Sequence, residues 1–196
     1  RAVRFAGNGA SVVINARAPG PALEVVEHVR AMGREAHFEP ADLYNYDDVR
    51  RMVDSAVQRF GHIDIMVANG AAAGPPPQPF HEIDPKSYGD CVNSHLFTRL
   101  HTVRAVLDHM MARQSGKIIM VTTDAGRTPT RGESLIGGAA AAVVLMTKAL
   151  AMEFAYRSSR PDRLLFGSDH PWVKIETILE HFNRLQIPRE EKAMIL

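Results

Sequence analysis

A single cysteine, Cys91, and a single tryptophan stand among 196 residues. One thiol cannot close an internal disulfide, and no Cys-x-x-Cys or Cys/His spacing suggests a structural zinc, so this usage implies a reducing compartment and a cytoplasmic location. An excess of one charge sign is also lacking: Lys plus Arg is 23 and Asp plus Glu 22, leaving a formal net charge of +1 with no long single-sign run. Nothing in that balance calls for a nucleic-acid backbone or an acidic membrane as partner. Long apolar stretches are missing too. The longest, Gly137 to Met146, is about ten residues against the roughly 20 that span a bilayer, so no transmembrane helix is expected. The opening Arg1-Ala2-Val3-Arg4-Phe5 has neither a Met nor the charged-then-apolar order of a signal peptide, and reads as a start partway through an element. The 45% hydrophobic content excludes disorder as a default and suffices for one sizeable core.

What is there is an alternation of two periods. Val12 to Asn15 is a short β-branched run behind the turn signal Gly7-Asn8-Gly9, and Pro21 to Met32 places Leu23, Val26, Val29 and Arg30 at helical spacing before Gly33. A second strand fits Glu35 to Phe38. Asp47 is the expected cap of an amphipathic helix with Val49, Met52, Val53, Ala56, Val57 and Phe60 on one face, ended by Gly61. Ile63 to Val67 and Lys117 to Val121 are strands without polar alternation, the pattern of a parallel sheet buried on both faces. The stiff segment Gly74 to Pro79 reads as a loop over the sheet edge. Asp84-Pro85 opens a long helix from Lys86 to Arg113, and Gly138 to Tyr156 predicts a last helix whose small residues suit close packing. Residues 1–157 therefore read as a partial doubly wound α/β domain with helices on both faces of a parallel sheet. Beyond a breaker cluster at Ser158 to Asp162, Arg163 to Gly167 reads as a strand, and Ile175 to Leu185 and Arg189 to Leu196 as short amphipathic helices.

Phe5 to Asn15, Ala41-Asp42-Leu43, Gly61 to Ala71, Val92-Asn93 and Gly116 to Thr123, in that order and spacing, resemble the short-chain dehydrogenase/reductase family. That resemblance implies a Rossmann-type fold, an NADP or NAD cofactor, and hydride transfer between the cofactor and a carbonyl or alcohol carbon. Arg17, just beyond a strand, is suited to a ribose 2′-phosphate, which favours NADP; it also reads as a plain surface Arg. Asp42 and Leu43 match the pair that contacts adenine in the family, and Asp42 reads equally as a helix-preceding cap. Asn69-Gly70-Ala71, with Ala68 in place of the family's first Asn, is a small-residue turn that lets backbone approach a ribose. Asn93 matches the Asn that kinks a long helix and holds a water for proton relay. The family's glycine-rich phosphate turn and first, central strand would fall before Arg1, so weak cofactor binding and a gap in the sheet are expected.

The family's catalytic Tyr, the Lys four residues later and the Ser thirteen residues before the Tyr map onto Ile136, Ala140 and Thr123. All four tyrosines fail the spacing, since Asp48, Arg50, Val92 and Arg160 lie four residues after Tyr44, Tyr46, Tyr88 and Tyr156. A positioned proton donor contributes about 10²–10⁴ in rate, so ordinary turnover is not expected. A different resemblance covers residues 158–196: Arg160 to Trp172 and Leu185 to Leu196 look like the end of a metal-dependent amidohydrolase barrel, in which Asp169 would stand at a metal ligand or general base position. The His-x-His pair of that barrel is missing. The strand Leu164 to Gly167 also suits the slot of a sixth parallel strand. Three readings stay open: an oxidoreductase relative with altered chemistry, a non-catalytic nucleotide-binding or assembly module joined through its long helices, and a fusion carrying a hydrolase end.

Overall fold

Four short strands and six α-helices alternate through residues 2–70 and 76–155, which the computed structural model of the chain describes. Readings that fall on residues 156–196, including Asp169, the strand at Leu164 to Gly167 and the barrel-like tail, lie outside the described residues, as does Ala71.

Helix α1 (Ala2–Gly7) leads into β1 (Val12–Asn15), and α2 (Pro19–Ala31) crosses over to β2 (Ala36–Glu39). The two strands are parallel, in register Val12 with Ala36 through Asn15 with Glu39. Their cover is built from Ala6, Val26, Val29 and Ala36, with Ile14 and Phe38 packed against them. The helix starts earlier than Pro21 and turns Ala22 inward, which leaves Leu23 46% exposed instead of in the core.

Helix α3 (Tyr46–Phe60) buries Val49, Met52, Val53 and Ala56, as its spacing requires. Its cap is Asn45 and not Asp47: the Asn45 side chain accepts from Asp47 N at 3.0 Å and Asp48 N at 3.4 Å. Both residue types cap well, and the extended backbone of Asn45 decides between them. At the far end Gly61 adopts φ 78°, a conformation that favours glycine.

Strands β3 (Ile65–Ala68) and β4 (Lys117–Met120) form a second parallel pair. Ala68 and Met120 are buried with Val103 and Val143, but Ile65 is 41% exposed. The expectation of strands buried on both faces is corrected here. Among the described residues the sheet is two separate two-stranded pairs, so each strand has one hydrogen-bonded neighbour and less cover than in a continuous sheet.

The long helix expected from Lys86 to Arg113 is segmented. A 3₁₀ turn at Pro85–Ser87 gives way to α4 (Tyr88–Val92), a π-helical turn at Asn93–Phe97 and α5 (Thr98–Arg113). Helix α6 (Ser134–Ala155) begins four residues before Gly138. Between Ser134 and Phe154 it is 21 residues long with a mean hydropathy of 1.9, long and apolar enough by composition to cross a membrane. The apolar stretch is longer than the ten residues read from the sequence, because the polar Thr147-Lys148 pair interrupts the run without ending the helix. In this fold α6 contributes Ala139, Ala140 and Val143 to the interior.

Candidate functional site at the carboxyl ends of the strands

Each parallel pair sets its carboxyl ends side by side, and the residues singled out in the sequence follow those ends. Arg17 comes after β1, is exposed and has no ion-pair partner among the described residues. Asn15 donates through Nδ2 to the carbonyls of Glu39 and Ala41, at 3.1 Å each, and so ties the end of β1 to the segment that carries Asp42. Asp42 is exposed; its Oδ1 accepts from Tyr44 N at 3.0 Å. That contact makes Asp42 the head of a local turn, and the helix cap three residues later belongs to Asn45.

Leu43 joins the two halves of the fold. Its Cδ1 lies so close to Gly70 that a Cβ there would collide with it, and the Leu43 carbonyl pairs with His101 Nδ1 of α5 at 2.9 Å. Leu43 thus packs directly on Gly70, which follows β3 beside the exposed Asn69, and a side chain at Gly70 would have to push that leucine aside.

Below that turn lies a charged group that sequence reasoning missed. Arg99 is 4% exposed; its Nε donates to the Val121 carbonyl at 2.8 Å, and its Nη1 donates to Ser94 O at 3.1 Å and Gly70 O at 3.4 Å. The Thr98 hydroxyl donates to the same Gly70 carbonyl at 3.1 Å. One guanidinium therefore links the end of β3, the segment after β4 and the π-turn. A signal was present: Arg99 lies on one helical stripe with the buried Thr102, Val103, Val106 and Met110.

Asn93 opens the π-turn, where the Thr98 amide reaches back to the Asn93 carbonyl. Such turns insert one residue into a helix and often mark functional sites. Burial lowers the His95 pKa, and the Arg99 charge lowers it further. Between this turn and the start of α6 an apolar cleft of about 340 Å³ is lined by Phe80, Val92, Leu96, Leu135 and Ala139.

Thr123 follows β4 and caps the 3₁₀ turn Asp124–Gly126 through Oγ1, which accepts from Ala125 N at 3.4 Å. That turn presses on α6. A Cβ on Gly126 would meet the Ala140 carbonyl carbon at 2.7 Å, and one on Gly137 would meet the Ala125 oxygen at 2.7 Å. Ala140 is fully buried in this contact, while Ile136 is half-buried. Leu43 thus brings the segment that carries Asp42 onto Gly70, and Arg99 ties Gly70 to Val121, two residues before Thr123.

The family model described as short chain dehydrogenase matches residues 1–160. The chain belongs to that family. A hydroxynaphthalene reductase of Aspergillus fumigatus is 29% identical over 78% of this chain, and a cis-4-hydroxycyclohexanecarboxylate dehydrogenase of Sinomonas cyclohexanicum is 31% identical over 86% of it. The chain spans 55% and 68% of the lengths of these two relatives. A gluconate 5-dehydrogenase from Burkholderia cenocepacia, solved in complex with NADP and tartrate, superposes with a TM-score of 0.73 at 25% identity, over 85% of this chain and 64% of that one. Family membership accounts for the parallel pairs and for the placing of Asn69, Gly70 and Thr123 at strand ends, where open α/β folds bind their ligands.

Proposed function

We propose that the chain is a nicotinamide-dinucleotide-binding relative of short-chain oxidoreductases in which the proton-transfer half of the reaction is altered. Support for binding comes from the exposed Arg17 and Asn69 and from Gly70, which follow the carboxyl ends of β1 and β3, with the segment that carries Asp42 packed on Gly70 through Leu43. Arg17 would pair with a ribose 2′-phosphate, Asp42 and Leu43 would meet the adenine, and Asn69 and Gly70 the ribose. The bound dinucleotide would supply the hydride or accept it. Thr123 would hold a substrate oxygen, and Asn93 a water near it.

The names of both curated relatives denote alcohol–carbonyl chemistry on ring compounds, which supports that substrate class for an active relative. Here the family's proton-donor position is Ile136, which carries no exchangeable proton, and the position that would tune that donor is Ala140. Hydride transfer to a carbonyl without a donor leaves an alkoxide, so turnover is strongly suppressed. A second reading, a non-catalytic nucleotide-binding or assembly module, draws on α6, whose Leu145 and Met152 are 69% and 74% exposed.

The test pairs calorimetric titration of NADPH and NADH with turnover assays on a panel of cyclic ketones. Saturable binding without turnover is the expected outcome. Absence of binding to either dinucleotide overturns the proposal, and turnover at an ordinary family rate overturns its altered-chemistry half.

A further inference from the structure

Among the described residues Arg99 alone is both charged and buried. Its acceptors are all neutral: the carbonyls of Val121, Ser94 and Gly70, and the Thr98 hydroxyl at 3.3 Å. No carboxylate among the described residues lies within ion-pair distance of it. An arginine stays protonated even where burial lowers its pKa, so among the described residues Arg99 is a positive charge with no paired anion, beneath the ends of β3 and β4. Carbonyl dipoles solvate that charge but do not cancel its field. The field reaches at least as far as His95, where it disfavours a second positive charge.

The two oxidation states of a nicotinamide dinucleotide carry the same phosphates and differ by one unit of positive charge on the nicotinamide ring. A fixed cation at the ligand-binding end of the sheet therefore acts on the difference between them. We propose that Arg99 sets the redox-state preference of the site, favouring the reduced, neutral ring over the oxidised, cationic one. The inference rests on the dinucleotide reading above. At an effective dielectric near 20, two unit charges about 10 Å apart change an equilibrium by roughly ten-fold, so a charge effect of that order is what the measurement must resolve.

Dissociation constants for NADPH and NADP⁺ should be measured by calorimetry for the unaltered chain, Arg99→Met and Arg99→Lys, with melting curves as a control of folding. The unaltered chain should bind NADPH about ten-fold more tightly than NADP⁺. Arg99→Met should bring the ratio close to one, and Arg99→Lys, which keeps the charge, should preserve most of it. A merely structural Arg99 would weaken both forms in equal proportion and leave the ratio unchanged, which overturns the proposal. Equal affinities in the unaltered chain overturn it without any variant. Failure of the unaltered chain to bind either form instead rejects the dinucleotide reading itself, and this inference with it.

Discussion

Gly126 is the point at which the turn after β4 meets α6, and replacing it with alanine tests how that junction is held. A Cβ at this position would lie 2.7 Å from the Ala140 carbonyl carbon, 2.8 Å from the Ala140 Cβ and 2.8 Å from the Ala141 nitrogen. All three belong to backbone or to a stub that cannot rotate away. The helix cannot withdraw cheaply, because Ala139 and Val143 on the same stretch are 6% and 1% exposed. Overpacking of this kind costs about 1–3 kcal/mol. In a chain of this length each kcal/mol shifts Tm by about 2–4 °C, so Gly126→Ala should melt roughly 2–12 °C below the unaltered chain. Gly138→Ala is the matched control. It lies in the same helix with nothing near its missing Cβ, and should gain about 0.5–1 kcal/mol. Thermal unfolding followed by circular dichroism reads both. Equal melting of Gly126→Ala and the unaltered chain would refute the close approach.

Other outcomes follow from single contacts. Arg17→Ala should weaken NADPH more than NADH in a calorimetric titration, and equal losses would remove the argument for the 2′-phosphate. Asn45→Ala removes the acceptor for two amides at the start of α3 and should cost about 1 kcal/mol in thermal or urea unfolding. Burial and the charge of Arg99 lower the folded-state pKa of His95 below its ordinary 6.5. On acidification the unfolded chain takes up that proton first, so this residue's contribution to stability is present above about pH 6.5 and falls as pH drops toward the folded pKa. His95→Gln should flatten the loss of stability on acidification below about pH 6.5, and an unchanged pH profile would contradict the burial.

The fold was legible in the sequence where local signals agree. Val12 to Asn15 is bounded as expected because a β-branched run follows a glycine turn, and α3 follows its apolar stripe. Where two signals compete, the sequence alone chose wrongly. Gly138 read as the start of α6, yet the helix begins at Ser134 and holds Gly137 inside it, where the Ala125 carbonyl takes the space of a side chain. Leu23 outranks Ala22 in hydrophobicity, but the earlier start of α2 turns the smaller residue inward. The placing of Arg17, Asn69, Gly70 and Thr123 after the strands was legible in the sequence. The contacts between them were not: the Leu43 seat on Gly70 and the Arg99 links span segments distant in the chain, and the helical stripe that carries Arg99 marks its burial but not its partners.

The same wiring bears on restoring catalysis. Ile136→Tyr and Ala140→Lys would recreate the family's Tyr and Lys spacing. The two positions differ in room. Ile136 is half-buried, so a phenol there can turn its ring toward solvent and should change stability by less than about 1 kcal/mol. Ala140 is fully buried with Gly126 against it, and a lysine must either push the Asp124–Gly126 turn away or leave its ammonium without solvent. Moving the turn displaces Thr123, which caps it, and with it the hydroxyl meant to hold the substrate oxygen. Ala140→Lys alone should therefore lower stability by about 2–4 kcal/mol, and the double variant should remain without ketone reduction even at saturating NADPH. A double variant that melts with the unaltered chain and turns over a cyclic ketone would show that the Ala140 contact yields to a longer side chain, and that Ile136 and Ala140 alone had been limiting.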